Sequence, residues 1–407
     1  MYRESEADLP GEAALPGTLP ESLRAELIAF RRDLHMHPEL GNQEFRTTAA
    51  IKARLEQAGL KPRVLDAGTG LICDIGTWDG LRPMLAIRAD IDALPIPDAK
   101  VGVPYRSTVP DRAHACGHDV HTTTVLGAGL VLAGLDQQGL LPRPVRLIFQ
   151  AAEEVLPGGA ADAIASGVME GVGKIIAVHC DPKVEVGKVG LRHGAITSAC
   201  DRLEVTLNGA GGHTARPHLT TDLVTAAAKV VSEVPALLGR RVDARAGLSV
   251  TWGRIEAGHA CNVIPMHAEL SGTVRCLDLH AWRDAPDLVH AAIDEIATLH
   301  RAKSEINYVR GVPPVVNDPA VSDLLGDAMI ARRGPHAIED TEQSLGGEDF
   351  SWYLELVPGA MARLGVRTPG DPVRRDLHRG DFDADEGAIQ AGVELFTAAA
   401  LLDGVRG

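Results

Sequence analysis

Within eight residues, His114-Ala115-Cys116-Gly117-His118-Asp119-Val120-His121, the chain sets three imidazoles, one thiol and one carboxylate. Thiolate and neutral imidazole are both good ligands for zinc-like ions, and Gly117 allows a tight backbone that lets Cys116 and His118 face one point. The competing reading is a set of polar residues capping a helix beside a buried thiol; the crowding of ligand types in one stretch counts against it. A second stretch, Phe149-Gln150-Ala151-Ala152-Glu153-Glu154, places consecutive carboxylates after the apolar run 145–149. Neighbouring side chains at a strand end point in different directions, so one can ligate a metal while the other stays available as a base, as metal-assisted hydrolysis requires. Alone, the pair reads better as solvated acids opening a loop marked by Pro157-Gly158-Gly159. Val178-His179-Cys180 ends another apolar run, and Asp90-Ile91-Asp92 a third. In open α/β sheets ligands collect outside the carboxyl ends of strands, so reactive residues at three such ends argue for one shared site. By composition alone, His378 and the acids of Gly347-Glu348-Asp349-Phe350 are no more than polar turns.

The elements that must carry these residues are visible as changes of hydrophobic period. Leu23, Leu27, Phe30 and Leu34 recur at helical spacing before Pro38, and a second helix is predicted over 45–58, stopped by Gly59. Short apolar runs at 84–89, 145–149 and 175–178 then alternate with helix-compatible stretches at 122–135 and 160–166, which predicts parallel strands with helices on both faces. The middle third reads strand 203–208, helix 222–238, strands 248–255 and 268–276, helix 286–301 and strand 305–309. This β-α-β-β-α-β order is the split-βαβ, ferredoxin-like arrangement. The expected fold is therefore α/β: a catalytic domain over 21–191 and 310–407 with a mixed, mostly parallel sheet flanked by helices, plus an inserted ferredoxin-like α+β lid over 192–309. The first domain resumes with a helix at 320–332, a strand at 360–366 and a helix at 386–402. Residues 1–20, rich in Glu, Ala, Gly and Pro, read as a poorly ordered leader.

Composition narrows the partners. The 407 residues are 45% hydrophobic and 23% charged, ordinary for a globular chain, but only 3% aromatic, so no stacking surface for bases is expected. A net charge of −15 repels phosphate backbones and argues against nucleic acid. No run approaches the ~18 apolar residues of a membrane span, and acidic Glu4, Glu6 and Asp8 do not make a signal peptide. Six dispersed cysteines without a paired spacing fit a reducing, cytoplasmic setting and disfavour a redox thiol protein. The sixteen histidines are the compositional excess.

Taken in order, the motifs are His35-Met36-His37-Pro38-Glu39-Leu40, Arg88-Ala89-Asp90-Ile91-Asp92-Ala93-Leu94-Pro95, the 114–121 cluster, Glu153-Glu154, Gly212-His213-Thr214-Ala215-Arg216-Pro217-His218, Asn262-Val263-Ile264-Pro265 and Gly347-Glu348-Asp349-Phe350. Over about residues 25–400 the chain resembles the amidohydrolase branch of the aminoacylase and carboxypeptidase metallopeptidase family, which includes hippurate hydrolases and indole-acetyl-amino-acid hydrolases.

That resemblance implies two divalent metal ions, zinc or manganese first and cobalt or nickel next, and hydrolysis of N-acyl amino acids to a carboxylic acid and a free amino acid. It implies Cys116 as a bridging thiolate, His118 and His179 on one metal, Glu154 and His378 on the other, Glu153 as general base and Asp92 orienting a metal ligand. From the lid, His213 would reach the substrate carbonyl, with Asn262 and Arg275 as further substrate contacts, and the lid would mediate a homodimer. Two departures, Gln150-Ala151-Ala152 for the family's Gln-Pro-Ala and Gly41-Asn42 for a small-aromatic pair, remove no chemical group. The rivals are a dipeptidase or carboxypeptidase on the same scaffold, disfavoured by Cys116 and His179 where acidic ligands would be expected, and a catalytically silent metal-containing binding protein, disfavoured by Glu153.

Overall fold

The computed structural model describes residues 19–406, so the expected leader lies outside the described residues except for its last two. The chain divides into two compact units. The described residues up to Gly194, Asn317–Glu342 and those from Trp352 onward form one; Ala195–Val316 with Gln343–Ser351 form the other.

The first unit opens with helices α1 (Glu21–Met36) and α2 (Phe45–Gln57), followed by strands β1 (Arg63–Val64), β2 (Leu71–Ile75) and β3 (Met84–Asp90). Helix α3 (His118–Gln137), strand β4 (Val145–Gln150), helix α4 (Ala160–Ala165) and strands β5 (Val172–Glu185) and β6 (Val189–Leu191) complete its first part. Every residue of β3 and β4 is buried, which is why both read as continuous apolar runs rather than alternating ones: the sheet is covered on both faces. Helix α3 begins at His118, four residues before the sequence expectation, so two histidines of the cluster stand on its first turn rather than ahead of it. The Thr122-Thr123-Thr124 run obscures that start, because threonine is a weak helix former until its hydroxyls are engaged; Thr122 Oγ1 donates to Asp90 O (3.0 Å) and Thr123 Oγ1 to Asp119 O (2.7 Å).

The second unit contains β7 (Cys200–Asn208), the short β8 (Gly212–His213), α5 (Leu223–Arg241), β9 (Ser249–Ala257), the short β10 (Val263–Ile264), β11 (His267–Arg275), α6 (Leu279–Leu299) and β12 (Lys303–Val312). Four strands pair antiparallel in the order β9-β11-β7-β12, the arrangement of a split βαβ sheet. Strand β7 alternates buried and partly exposed residues, and Leu203, Val205 and Leu207 pack with Val230 and Val234 of α5 and Ile293 and Ile296 of α6. Burying each such side chain is worth about 1.5–3 kcal/mol.

Helix α6 starts seven residues before Pro286, the expected first residue. Asp278 caps it by accepting Ala281 N–H at 2.8 Å. Proline lacks the N–H that would bond the carbonyl four residues back; Arg310 Nη1 supplies that donor to Trp282 O at 3.1 Å, and Nη2 reaches Arg283 O at 2.5 Å. A proline read as a helix start is thus an internal one, repaired from a strand.

The chain returns to the first unit through α7 (Pro319–Arg333), β13 (Ile338–Asp340), β14 (Gly359–Arg367) and α8 (Gly387–Arg406). Its eight-stranded sheet runs β1-β2-β4-β3-β5-β14-β6-β13. The centre is parallel, β4 with β3, β3 with β5 and β5 with β14, while β1, β2 and β6 introduce antiparallel pairs. The sheet is mixed and mostly parallel, with helices packed against it through Leu27, Val125, Leu325 and Phe396. No helix among the described residues is long and apolar enough to cross a membrane.

Candidate metal centre

Parallel pairing brings the carboxyl ends of β4, β3 and β5 to the same edge of the sheet. Beyond β3 the chain continues into Asp92, and beyond β4 it turns through Ala151 and Ala152 into Glu153 and Glu154, while His179 stands within β5 opposite Arg363 of β14. Cys116 and His118 flank Gly117, whose φ of +88° begins α3; a Cβ there would lie 2.7 Å from Cys180 Sγ, so no other residue fits. His378 comes from the loop before α8, its backbone N–H donating to Ala115 O at 2.8 Å, which ties that loop to the Cys116 segment.

Among the described residues several groups of ligand-type atoms come close together, and two of them share one residue: Cys116 with His118 and His179, and Cys116 with Glu154 and His378. Cys116 Sγ is 3.5 Å from His179 Nε2 and 3.3 Å from His378 Nε2, and His378 Nε2 is 3.3 Å from Glu154 Oε1. Tetrahedral ligands held about 2.0–2.3 Å from an ion stand about 3.3–3.8 Å apart, which these separations match. His118 Nδ1 lies 3.0 Å from Asp92 O and 3.2 Å from Asp92 Oδ1, and His179 Nδ1 lies 2.9 Å from Cys180 O, so both rings use Nδ1–H as donor and turn Nε2 toward the site. His118 Nε2 is buried and makes no hydrogen bond, and buried Glu154 Oε1 has only the 3.3 Å approach of His378 Nε2. Such poorly satisfied atoms are expensive unless a cation satisfies them, so the residues fit a pair of metal ions.

The electrostatics agree. Burial, then Glu154, Glu153 and Asp90, hold the Cys116 thiol well above its ordinary pKa, so a thiolate there needs a cation. Burial acts downward on His118 but is overcome by Asp90, Asp92 and Glu154, which push it up to about 10. Burial, then His121, keeps His179 well below the usual range, the neutral form a metal ligand needs. Burial opposes ionisation of Glu154, yet His378 and His118 hold it below its ordinary value.

Around these residues lies a shell in which only Asp92 has a role read from the sequence. Asp92 reaches both groups: besides His118, its Oδ2 accepts Glu154 N–H at 2.9 Å. Asp90 is fully buried between Arg88 Nη1 (2.7 Å) and His121 Nδ1 (2.7 Å). His121, the last imidazole of the cluster, also accepts Cys180 N–H at its Nε2 at 2.8 Å, so both its ring nitrogens are used. Asp119 binds Arg31 Nε at 2.6 Å and His35 Nδ1 at 2.7 Å, all three fully buried, anchoring α3 to α1. A histidine 84 residues upstream could have been suspected only from the His-x-His-Pro motif.

His213, Asn262 and Arg275 belong to the second unit. His213 and Asn262 are brought together: β8 pairs with β10, Val263 opposite His213, and Thr214 N–H donates to Asn262 O at 3.2 Å. Ala215 N–H donates to His213 Nδ1 at 3.0 Å, which leaves Nε2 as the protonated, exposed nitrogen. Arg275 ends β11 and donates to Leu345 O; it is eight residues along that strand from His267, about 27 Å at ~3.4 Å per residue. The structure therefore places Arg275 at the opposite end of the four-stranded sheet from the His213 and Asn262 pair.

Against known proteins, the profile of Peptidase family M20/M25/M40 matches residues 86–402. A Rhodococcus jostii (strain RHA1) protein provisionally named glutamate–cysteine ligase 2-3 is 47% identical over 378 residues, covering 93% of this chain but only 47% of that protein. The chain thus spans about half the length of that relative, whose name describes a larger molecule. An N-acetyl-L-cysteine deacetylase of Bacillus subtilis (strain 168) is 38% identical over 369 residues, 90% of this chain and 86% of that one. Among solved structures, the Bacillus subtilis YXEP protein, described as a dinuclear metal binding peptidase from the M20 family, superposes with a TM-score of 0.82 at 33% identity, covering 95% of this chain and 99% of that one.

Proposed function

Since the chain belongs to peptidase family M20/M25/M40, we propose that it is a metal-dependent amidohydrolase that cleaves N-acyl amino acids into a carboxylic acid and a free amino acid. The observation that carries this reading is the pair of ligand groups sharing Cys116, with a second carboxylate, Glu153, immediately before ligand-type Glu154. We assign Cys116, His118 and His179 to one ion and Cys116, Glu154 and His378 to the other. When bound, the ions supply positive charge that polarises the scissile carbonyl and acidifies a water.

The chain's own residues do the rest. Glu153, whose Oε2 is 4.0 Å from His118 Nε2, takes a proton from the attacking water. As the C–N bond breaks, the water oxygen stays on the acyl carbon and Glu153 delivers the proton to the leaving amine nitrogen, a role worth about 10²–10⁴-fold in rate. His213, with Nδ1 already accepting a backbone N–H, has Nε2–H to donate to the carbonyl oxygen as negative charge develops there. Asn262, whose carbonyl bonds the residue after His213, and Arg275 would hold the amino-acid portion. One small substrate cannot touch both ends of a sheet about 27 Å long, so His213 and Asn262 reach it from one copy and Arg275 from another, in a homodimer formed through the inserted unit.

The native ions are zinc or manganese: thiolate and imidazole suit zinc, carboxylate and imidazole also suit manganese. Six free cysteines, four of them buried, fit a cytoplasmic setting. The test is mass-spectrometric metal analysis of the purified chain joined to a screen of N-acyl amino acids and dipeptides read as ninhydrin-reactive product. Two ions per chain and release from N-acyl amino acids are expected. Two bound ions with no product from any of them would overturn the enzyme reading in favour of a binding protein, and release from dipeptides alone would make the chain a peptidase.

A further inference from the structure

The stretch carrying Glu153 and Glu154 is gripped by a side chain with no part in the chemistry above. Glu44, the residue before α2, is completely buried, and its Oε1 accepts the Ala152 backbone N–H at 2.7 Å. Its other carboxyl oxygen is buried and makes no hydrogen bond. Ala152 needs such a hold, because its φ of +59° is a left-handed conformation that a residue with a Cβ rarely adopts. The remaining contacts close around the same point. Ala152 O accepts Gly159 N–H at 2.8 Å, and at Gly41, in the segment that leads to Glu44, an added Cβ would stand 3.2 Å from both Ala152 Cα and Val155 Cγ1.

Two buried carboxylates therefore hold alternate amides of one short loop: Glu44 takes Ala152 N–H and Asp92 takes Glu154 N–H, with Glu153 between them. A backbone N–H can be satisfied cheaply by water or a hydroxyl, whereas sinking a carboxyl group beside Asp92 is costly. Burial above all, with Asp92 adding to it, pushes Glu44 up to about 7, so a neutral carbonyl-type acceptor serves there as well as a charged one.

We propose that Glu44 is a positioning residue: by fixing the Ala152 N–H it sets the direction in which the Glu153 and Glu154 side chains leave the loop, and so controls turnover rather than substrate affinity. This rests on the assignment of Glu153 as base and Glu154 as ligand. Gln at position 44 keeps an acceptor of the same reach; Ala removes it.

The test uses the full chain loaded with zinc or manganese, with E44Q and E44A compared in steady-state kinetics and in hydrogen exchange of the peptide spanning residues 150–156. E44Q is expected to keep kcat within threefold of the parent and to keep the Ala152 amide protected. E44A is expected to lose about 10–100-fold in kcat with KM within twofold, and its Ala152 amide to exchange at least tenfold faster. If E44A does not fold, E44D, which withdraws the carboxyl by one methylene, takes its place with the same expectation. Unchanged kcat or unchanged exchange in the truncated variant, or E44Q as impaired as E44A, would overturn the proposal. A parent chain that hydrolyses no N-acyl amino acid would instead sink the functional reading, while the exchange comparison would still decide whether Glu44 holds the loop.

Discussion

Replacing Asp92 by Asn should weaken metal retention about 5–150-fold while leaving the fold in place. The carboxylate presents two acceptors to two donors, Oδ1 to His118 Nδ1–H at 3.2 Å and Oδ2 to Glu154 N–H at 2.9 Å, the first contact buried and the second partly buried. An amide of the same shape has one acceptor and one donor group. Turned one way, the amide sets NH₂ against Glu154 N–H, which loses its acceptor; turned the other, it sets NH₂ against His118 Nδ1–H, which keeps only Asp92 O at 3.0 Å, and a buried donor left unsatisfied costs about 1–3 kcal/mol. At about 1.4 kcal/mol per tenfold this becomes the stated range, in line with the 10–100-fold commonly lost when a residue that orients a metal ligand is changed. The two orientations weaken different ions: with oxygen toward His118 the Glu154 group loosens, and with oxygen toward Glu154 the His118 group does. Stepwise titration of the metal-free variant against a chromophoric chelator measures both events, with a thermal melt of the metal-free forms as control. Parent-like affinity for both ions in a folded D92N chain would refute the bracing role.

Four further outcomes follow from the same geometry. E153Q should retain both ions by mass spectrometry yet lose about 10²–10⁴-fold in kcat; retained turnover would remove Glu153 from the role of base. In the metal-free chain the Cys116 thiol is held well above its usual pKa and His118 is raised to about 10, so each carries a proton at pH 8 that ligation must expel. Calorimetric titration in buffers of different ionisation enthalpy should find close to two protons released per fully loaded chain, and none would contradict the ligand assignment. The sign for stability follows from His118: a pKa raised from 6.5 to about 10 on folding stabilises the metal-free chain fully below pH 6.5, and that stabilisation fades as pH rises to 10, so chelated protein should melt lower at pH 9.5 than at pH 6.5. G117A forces a Cβ into a left-handed position 2.7 Å from Cys180 Sγ; strain of about 1–2 kcal/mol and overpacking of about 1–3 kcal/mol predict a loss of about 2–5 kcal/mol in urea unfolding, and an unshifted midpoint would count against the close approach.

How legible each part was in the sequence depended on whether its cause is local. Strands β3 and β4 could be read directly, because burial on both faces leaves an unbroken apolar run, and the β-α-β-β-α-β order of the second unit showed because its strands are half-buried and alternate. The inserted unit was expected over 192–309, whereas the compact unit spans Ala195–Val316 and takes back Gln343–Ser351, a return that no local pattern marks. Strand β5 was expected only over 175–178 but extends over Val172–Glu185, since its polar ends are strand through pairing with β3 and β14 rather than through their own propensity. The start of α6 was missed because the repair of Pro286 comes from Arg310, 24 residues later. Among the site residues, Cys116, His118, Glu154 and His179 could be singled out by type and motif, and His378 only through the family resemblance. Asp90, His35 and Asp119 stand in motifs the sequence displays, but their roles, and Glu44 and Arg31 altogether, could not be read there, because what distinguishes them is burial against partners 31 to 108 residues away.

The two ligand groups do not share the same access to the medium. Side chains of His118 and Glu154 are 1% and 12% exposed, that of His378 is 55% exposed, and Cys116 stands between them, buried. An ion held by His118 and His179 would be enclosed, whereas an ion held by Glu154 and His378 would have one ligand open to solvent. Exchange with surrounding metal should therefore proceed at one position while the other stays occupied, so that a chelator strips the chain in two stages and the activity follows the outer position. The identity of the working metal would then track supply, with the enclosed ion as a fixed part of the fold.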